Sequence, residues 1–250
     1  MYNNGNSSTT IRLLETTFNL PLQNRNISRW RGAWAEFAGL EADLFHNHHG
    51  EKSYYYRYPK VQYRTRNGQA SILVINEGVE ALQHVLAKGN WKITWDTHPF
   101  VLQIEKLQLR EYQATMTDDM RHYRLRQWVP FNVDNFERWK HAANLIERAN
   151  LLNRVLVGHI LDFATALQWR LPERLEVELQ NLRNIRSVNI HGISRPVFDI
   201  EFTANVLLPP AIGLGKATSH GFGQTFPLRT YNPSFKDDRK HHLQLADHYK

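Results

Sequence analysis

The chain contains no cysteine, so disulfides, thiolate nucleophiles and cysteine-ligated zinc sites are excluded. It has no cluster of acidic residues of the kind that holds two catalytic metal ions. Long apolar runs are missing too. The best one, LLNRVLVGHILDFATALQW (151–169), is interrupted by Arg154, His159 and Asp162, and is too polar to span a bilayer. The start, MYNNGNSSTT, is polar and lacks the apolar segment of a secretion signal. These absences predict a soluble cytoplasmic protein with no membrane partner. What the 250 residues do contain is enough apolar matter for a core, at 42%, and an excess of positive charge, net +7 with pI ≈ 9.6. Such a balance favours an acidic partner such as nucleic acid.

Periodicity outlines the fold. Residues 11–22 alternate as a strand. Ser28 is placed to cap a helix running to about Leu40, with Trp30, Trp34 and Phe37 on one core-facing side. Asn67-Gly68 supplies a type I′ turn between two extended runs. A short helix follows and ends at Gly89, and two further strands follow it. The polar stretch TDDM (117–120) is the expected boundary, with a new strand beginning at Arg121. Asp134 and Glu137 resemble a capping box, opening a helical pattern to about Trp169 with breaks expected near Asn150 or Gly158. VFDIEFTANV then puts Phe198, Ile200, Phe202 and Ala204 on one face of a strand. The order is β-α-β-β-α-β, repeated with the last helix replaced by a glycine-rich loop. The economical fold is α+β, two tandem ferredoxin-like (RRM-like) units. The expected division is 1–118, 119–230 and a charged tail, 231–250.

The glycine-rich segment reads GLGKATSHGFG (213–223), two Gly-x-Gly pairs around Lys216, Ser219 and His220. Bare backbone beside a lysine suits an anion-binding concavity. A nucleotide-hydrolysing loop does not fit. Lys216 is followed by Ala217, and Pro210 stands where the first glycine of that motif belongs. The third glycine of a dinucleotide fingerprint would fall on Thr218. A polymer of phosphates is the better candidate.

A second group lies at FHNHHGEK (45–52), with His46, His48 and His49 in four residues. A metal site lacks a third ligand or carboxylate pair nearby. A solvated histidine-rich loop and a general acid/base site both remain open. For the latter, histidine titrates near neutrality and Lys52 is at hand for negative charge. Downstream, Tyr54, Tyr55, Tyr56, Arg57, Tyr58, Lys60, Tyr63, Arg64 and Arg66 interleave rings and cations. Rings stack unpaired bases and cations hold phosphates, as in single-stranded RNA binding.

Together these residues resemble a known family. PPAIGLGKATSHGFG (209–223) resembles the glycine-rich signature of the RAMP superfamily. LFHNHHGEK (44–52), YRYPKVQYR (56–64) and INEGVEAL (75–82) are similar to the CRISPR-associated endoribonucleases that cut precursor CRISPR RNA within its repeats. The resemblance covers most of residues 11–228. It implies repeat RNA as substrate and partner, and cleavage with neither metal nor cofactor. It places His46 as general acid/base, His48 as the runner-up, and Lys52 at suitable spacing. Gly213, Gly215, Lys216, Ser219, His220, Gly221 and Gly223 match the loop expected to touch RNA, beside Arg57, Lys60 and Arg64 of the basic hairpin. A CRISPR effector complex is a further expected partner, and a monomer or homodimer the expected assembly. The rival expectation is a catalytically silent RAMP subunit that only binds and orders guide RNA.

Overall fold

The structure, a computed structural model, describes residues 8–39, 42–45, 58–190 and 192–228. In chain order it runs β1 (Ser8–Pro21), α1 (Ile27–Ala38), β2 (Val61–Arg66), β3 (Gln69–Ile75), α2 (Glu77–Leu86), β4 (Lys92–Trp95), β5 (His98–Val101) and β6 (Ile104–Trp128). It continues with α3 (Val133–His141), α4 (Leu145–Ala166), β7 (Val177–Ile190), β8 (Ile193–Val206) and β9 (Gln224–Pro227). One antiparallel sheet has the order β2-β3-β1-β6-β8-β7, with β9 also paired to β6, and β4–β5 forms a separate hairpin. Each half has the ferredoxin-like strand order, fourth-first-third-second. β6 belongs to both, as last strand of the first unit and first strand of the second.

The expected break at 117–120 is therefore not a break. β6 is one strand of 25 residues. Its Ile104–Thr115 part pairs β1, and from Met116 to Trp128 it pairs β8. The register slips between Met116 and Arg121, so the polar TDDM stretch is an irregularity within a continuous strand. Thr117 donates to the Asp119 carbonyl at 2.7 Å inside it. Polarity is tolerated there because Asp118 and Asp119 are exposed.

Two apolar clusters hold the layers. In one, Leu14 and Phe18 of β1 and Ile72 and Val74 of β3 meet Trp30 and Trp34 of α1 and Leu82 of α2. In the other, Phe198, Ile200, Phe202 and Ala204 meet Leu152, Leu156, Ile160 and Phe163 of α4. Ile11, Leu13, Leu73 and Ile75 also belong to the second cluster. Alternation along β1 and β3 thus sends one face into each cluster.

Several local expectations hold. Asn67 and Gly68 have φ of 51° and 80°, and Arg66 faces Gln69 across the turn. α2 is followed by Gly89 at φ 74°. The caps differ. Ser28 lies inside α1, behind Asn26, and its hydroxyl is engaged elsewhere. α3 is capped by Asn132, whose Oδ1 accepts from the Asn135 amide at 2.8 Å, rather than by Asp134. The helical run breaks at 142–144, and α4 passes through Asn150 and Gly158 without interruption. The physical cause is a cap that resembles a capping box: Asn144 accepts from the Glu147 amide at 2.9 Å, and Glu147 accepts from the Ala143 amide, one residue before the cap, at 2.9 Å. Burial of Leu151 through Phe163 outweighs the roughly 1 kcal/mol cost of a helical glycine.

Among the described residues no helix is long and apolar enough to cross a membrane. Phe202 is fully buried and stacks on Tyr123 with ring centroids 5.2 Å apart. Phe202→Ala should lower stability by about 3–5 kcal/mol, read from urea unfolding midpoints at an unchanged m-value.

Candidate functional site

The glycine-rich loop joins β8 to β9 and closes on itself. Leu214 N–H donates to the Gly223 carbonyl at 2.7 Å, and Gly213 forms an isolated bridge with Gln224. A single 3-10 turn, Thr218–His220, lies at its tip. The glycines are needed for contact within the protein. A Cβ on Gly223, where φ is 67°, would sit 1.9 Å from the Leu214 carbonyl oxygen. One on Gly221, at φ 79°, would sit 2.9 Å from the carbonyl oxygen of Tyr63 on β2. The loop amides are largely committed. Gly213 donates to Gln62, Lys216 to the Val129 carbonyl, Gly221 to that of Thr218 and Gly223 to that of Gln127. These amides are thus turned into the protein rather than outward.

Ser219 and His220 are buried beneath this tip. Arg31 Nη1 donates to His220 Nε2 at 3.0 Å, since a guanidinium only donates. The other ring nitrogen, Nδ1, then carries the proton and donates to Ser28 Oγ at 3.2 Å. Two residues of α1 therefore hold the loop tip, which explains why Ser28 is not a cap. Neither partner was evident from sequence spacing, because 192 positions separate Ser28 from His220.

Lys60 and Arg64 do not form an outward basic face. Val61, Gln62, Tyr63 and Arg64 are all buried: Val61 and Tyr63 face the first apolar cluster, while Gln62 and Arg64 face the segment 211–213 that leads into the glycine loop. Arg64 donates to the Ala211 carbonyl and to Gln62 Oε1, both at 2.7 Å. Burial lowers its pKa to about 10, with Glu15 opposing the shift, so it stays charged at neutral pH. Lys60 donates to the Ala166 carbonyl at the end of α4 at 2.7 Å and lies 3.4 Å from Glu77. Arg66 is the outward member of the strand, 3.7 Å from Glu15.

Lys216 has a partly exposed side chain and lies near a second buried pair. Trp128 Nε1 donates to His159 Nδ1 at 3.1 Å, leaving the imidazole proton on Nε2. Burial, and then the Lys216 charge, lower the His159 pKa to about 3. The helical spacing of Leu152, Val155, Leu156, His159, Ile160 and Phe163 marks His159 as core-facing, a signal present in the sequence.

His46, His48, His49, Lys52 and Arg57, with Tyr54, Tyr55 and Tyr56, lie outside the described residues. Their flanks are anchored. Phe45 packs on Trp34 with ring centroids 6.2 Å apart, and Tyr58 on Phe163 at 5.1 Å. Tyr58 is partly buried, and desolvation of its hydroxyl raises the pKa well above the usual phenol value. Among the described residues, no three His, Asp or Glu side chains are grouped to hold a metal.

Comparison with known families decides the matter. Residues 9–113 match the Cas6b N-terminal domain, and residues 115–227 match the Cas6b C-terminal domain. The chain belongs to the Cas6b family. The junction between the two matches falls where β6 changes partners. A crystal structure of a Cas6b is similar at 24% identity and a TM-score of 0.76, covering 88% of this chain and 100% of that one. Another, of a CRISPR RNA processing endoribonuclease Cas6b, has 22% identity and a TM-score of 0.66 over the same shares. An uncharacterized protein of Methanocaldococcus jannaschii is 29% identical over 96 residues, 38% of this chain. The chain spans 64% of the length of that curated relative.

His159 gives a pH test. Its folded pKa lies below the ordinary value of 6.5, so its neutral form stabilises the fold above that value. As pH falls from 6.5 towards about 3, the unfolded chain binds a proton that the folded chain refuses. Stability should then drop by up to ~1.4 kcal/mol per pH unit from this group. His159→Gln should remove that slope, seen as urea midpoints that converge or cross with wild type on acidification.

Proposed function

We propose that this chain is a metal-independent endoribonuclease that cuts CRISPR repeat RNA into mature guide RNAs. Family membership supports the substrate class. The observation that supports the reading concerns the chain just after the histidine segment. The segment bearing His46, His48 and Lys52 is followed in sequence by Tyr58, whose hydroxyl accepts from Gln62 at 2.9 Å, and Gln62 in turn accepts from Gly213 of the glycine loop. The first described residue after the histidine segment is thus tied to the loop that would receive RNA.

In the proposed reaction the ribose 2′-hydroxyl attacks the adjacent phosphorus. A general base takes the 2′ proton, and a general acid gives one to the leaving 5′ oxygen. The products are a 2′,3′-cyclic phosphate and a 5′-hydroxyl. His46 is the first candidate for proton transfer and His48 the second, with Lys52 stabilising the phosphorane charge. Lys216 contributes a phosphate contact. DNA lacks the nucleophile.

His46→Ala should slow single-turnover cleavage by about 10²–10⁴-fold while repeat-RNA affinity stays within a few-fold. His48→Ala and His49→Ala are the controls, and full activity in all three variants would refute the assignment. Wild-type cleavage should persist in EDTA and stop on a 2′-deoxy substitution at the cut site. A chain that binds but never cuts repeat RNA would instead be the silent RAMP subunit. Lys216→Ala should weaken binding more than cleavage of bound RNA, and shallow the salt slope of log K by roughly 0.7.

A further inference from the structure

Gln62 is fully buried on β2, yet it is polar and every hydrogen-bonding group of its amide is engaged. Its Oε1 accepts from the Gly213 amide at 3.1 Å and from Arg64 Nη2 at 2.7 Å. Its Nε2 donates to the Tyr58 hydroxyl at 2.9 Å and to the Pro59 carbonyl at 3.4 Å. Arg64 extends the same network to the Ala211 carbonyl at 2.7 Å. Ala211 has φ of 67°, a left-handed conformation that a β-carbon disfavours and that surrounding contacts must hold. Both ends of the first turn of the glycine loop, Ala211 and Gly213, are thus gripped from β2.

The fit leaves little slack. A Cβ on Gly213 would lie 3.2 Å from Gln62 Oε1 and 2.7 Å from Thr218 Cβ. Replacing the amide by an apolar group would strand the Gly213 N–H, one arginine donor and the Tyr58 hydroxyl away from water. Each such loss costs more than the net worth of one hydrogen bond. A residue that served only to fill space here would be apolar, as its neighbours Val61 and Tyr63 largely are.

We infer that Gln62 is a positioning residue for RNA binding, holding the first turn of the glycine-rich loop in the shape that receives the repeat RNA. This rests on the endoribonuclease reading for the identity of the ligand, and it concerns binding rather than proton transfer.

The test uses the full chain, a repeat RNA made uncleavable by a 2′-deoxy at the cut site, and two near-isosteric variants. Gln62→Met keeps volume and loses the amide. Gln62→Glu keeps two acceptors, one for Gly213 and Arg64 and one towards which the Tyr58 hydroxyl can turn as donor. Gln62→Met should raise the Kd for the uncleavable RNA about tenfold or more, as expected when buried polar groups lose their partner. Gln62→Glu should bring Kd back to within about threefold of wild type. A folded Gln62→Met that binds as tightly as wild type overturns the inference, and so does Gln62→Glu behaving like Gln62→Met. If Gln62→Met does not fold by circular dichroism, Tyr58→Phe replaces it, removing only the acceptor that orients the amide. A rise in Kd of about threefold then supports the inference, and an unchanged Kd overturns it. Wild type that binds the uncleavable RNA but never cuts the normal one defeats the endoribonuclease reading alone. Wild type that does not bind repeat RNA defeats both.

Discussion

A strand can belong to two folded units only if its hydrogen-bonding edges are divided between them, and β6 meets that condition. Its first half gives one edge to β1. Its second half gives one edge to β8 and the other to β9, so that Tyr123 faces both Phe202 and Pro227. No linker intervenes at which the units could hinge. Because β1 and β3 send alternate side chains into both cores, a relative rotation would also have to separate packed apolar surface. The site between α1, β2 and the glycine loop inherits that rigidity.

Glycine-rich loops next to basic residues invite the thought of amides pointing at phosphate. Here most of the loop amides point inward, and the glycines let backbone lie directly on backbone at Leu214 and Tyr63. The loop is a plug seated on β2 and pinned at its tip by Ser28 and Arg31 through His220. A loop held this way presents Lys216, which is partly exposed, on a fixed frame, an arrangement that favours preorganisation over adaptation.

Local patterning made much of the frame legible. Asn67-Gly68, the buried face Phe198-Ile200-Phe202-Ala204 and the tryptophan face of α1 follow from turn chemistry and period alone. The continuity of β6 did not, because a polar stretch such as TDDM looks like a linker unless the two flanking pairings are known. The roles of Lys60 and Arg64 were also hidden. A cation on an alternating strand reads as solvent-facing, and only the return of the chain about 150 positions later puts carbonyls over it, as the separation of 147 between Arg64 and Ala211 shows. His159 was legible in principle, since its helical period is that of the core. The histidine and lysine roles at 46–52 rest on sequence resemblance alone.

The same strand that unites the halves leaves one edge open. Among the described strands, nothing pairs with the outer side of Ile104–Thr115, where Leu107 and Leu109 are about half exposed. Such an edge is a template for another copy of itself. Antiparallel pairing centred on Gln108 would bring the leucines together, but it would also set Glu105 against Glu111 and Lys106 against Arg110. All four are exposed. Like charges directly opposite one another oppose this leucine-matched register.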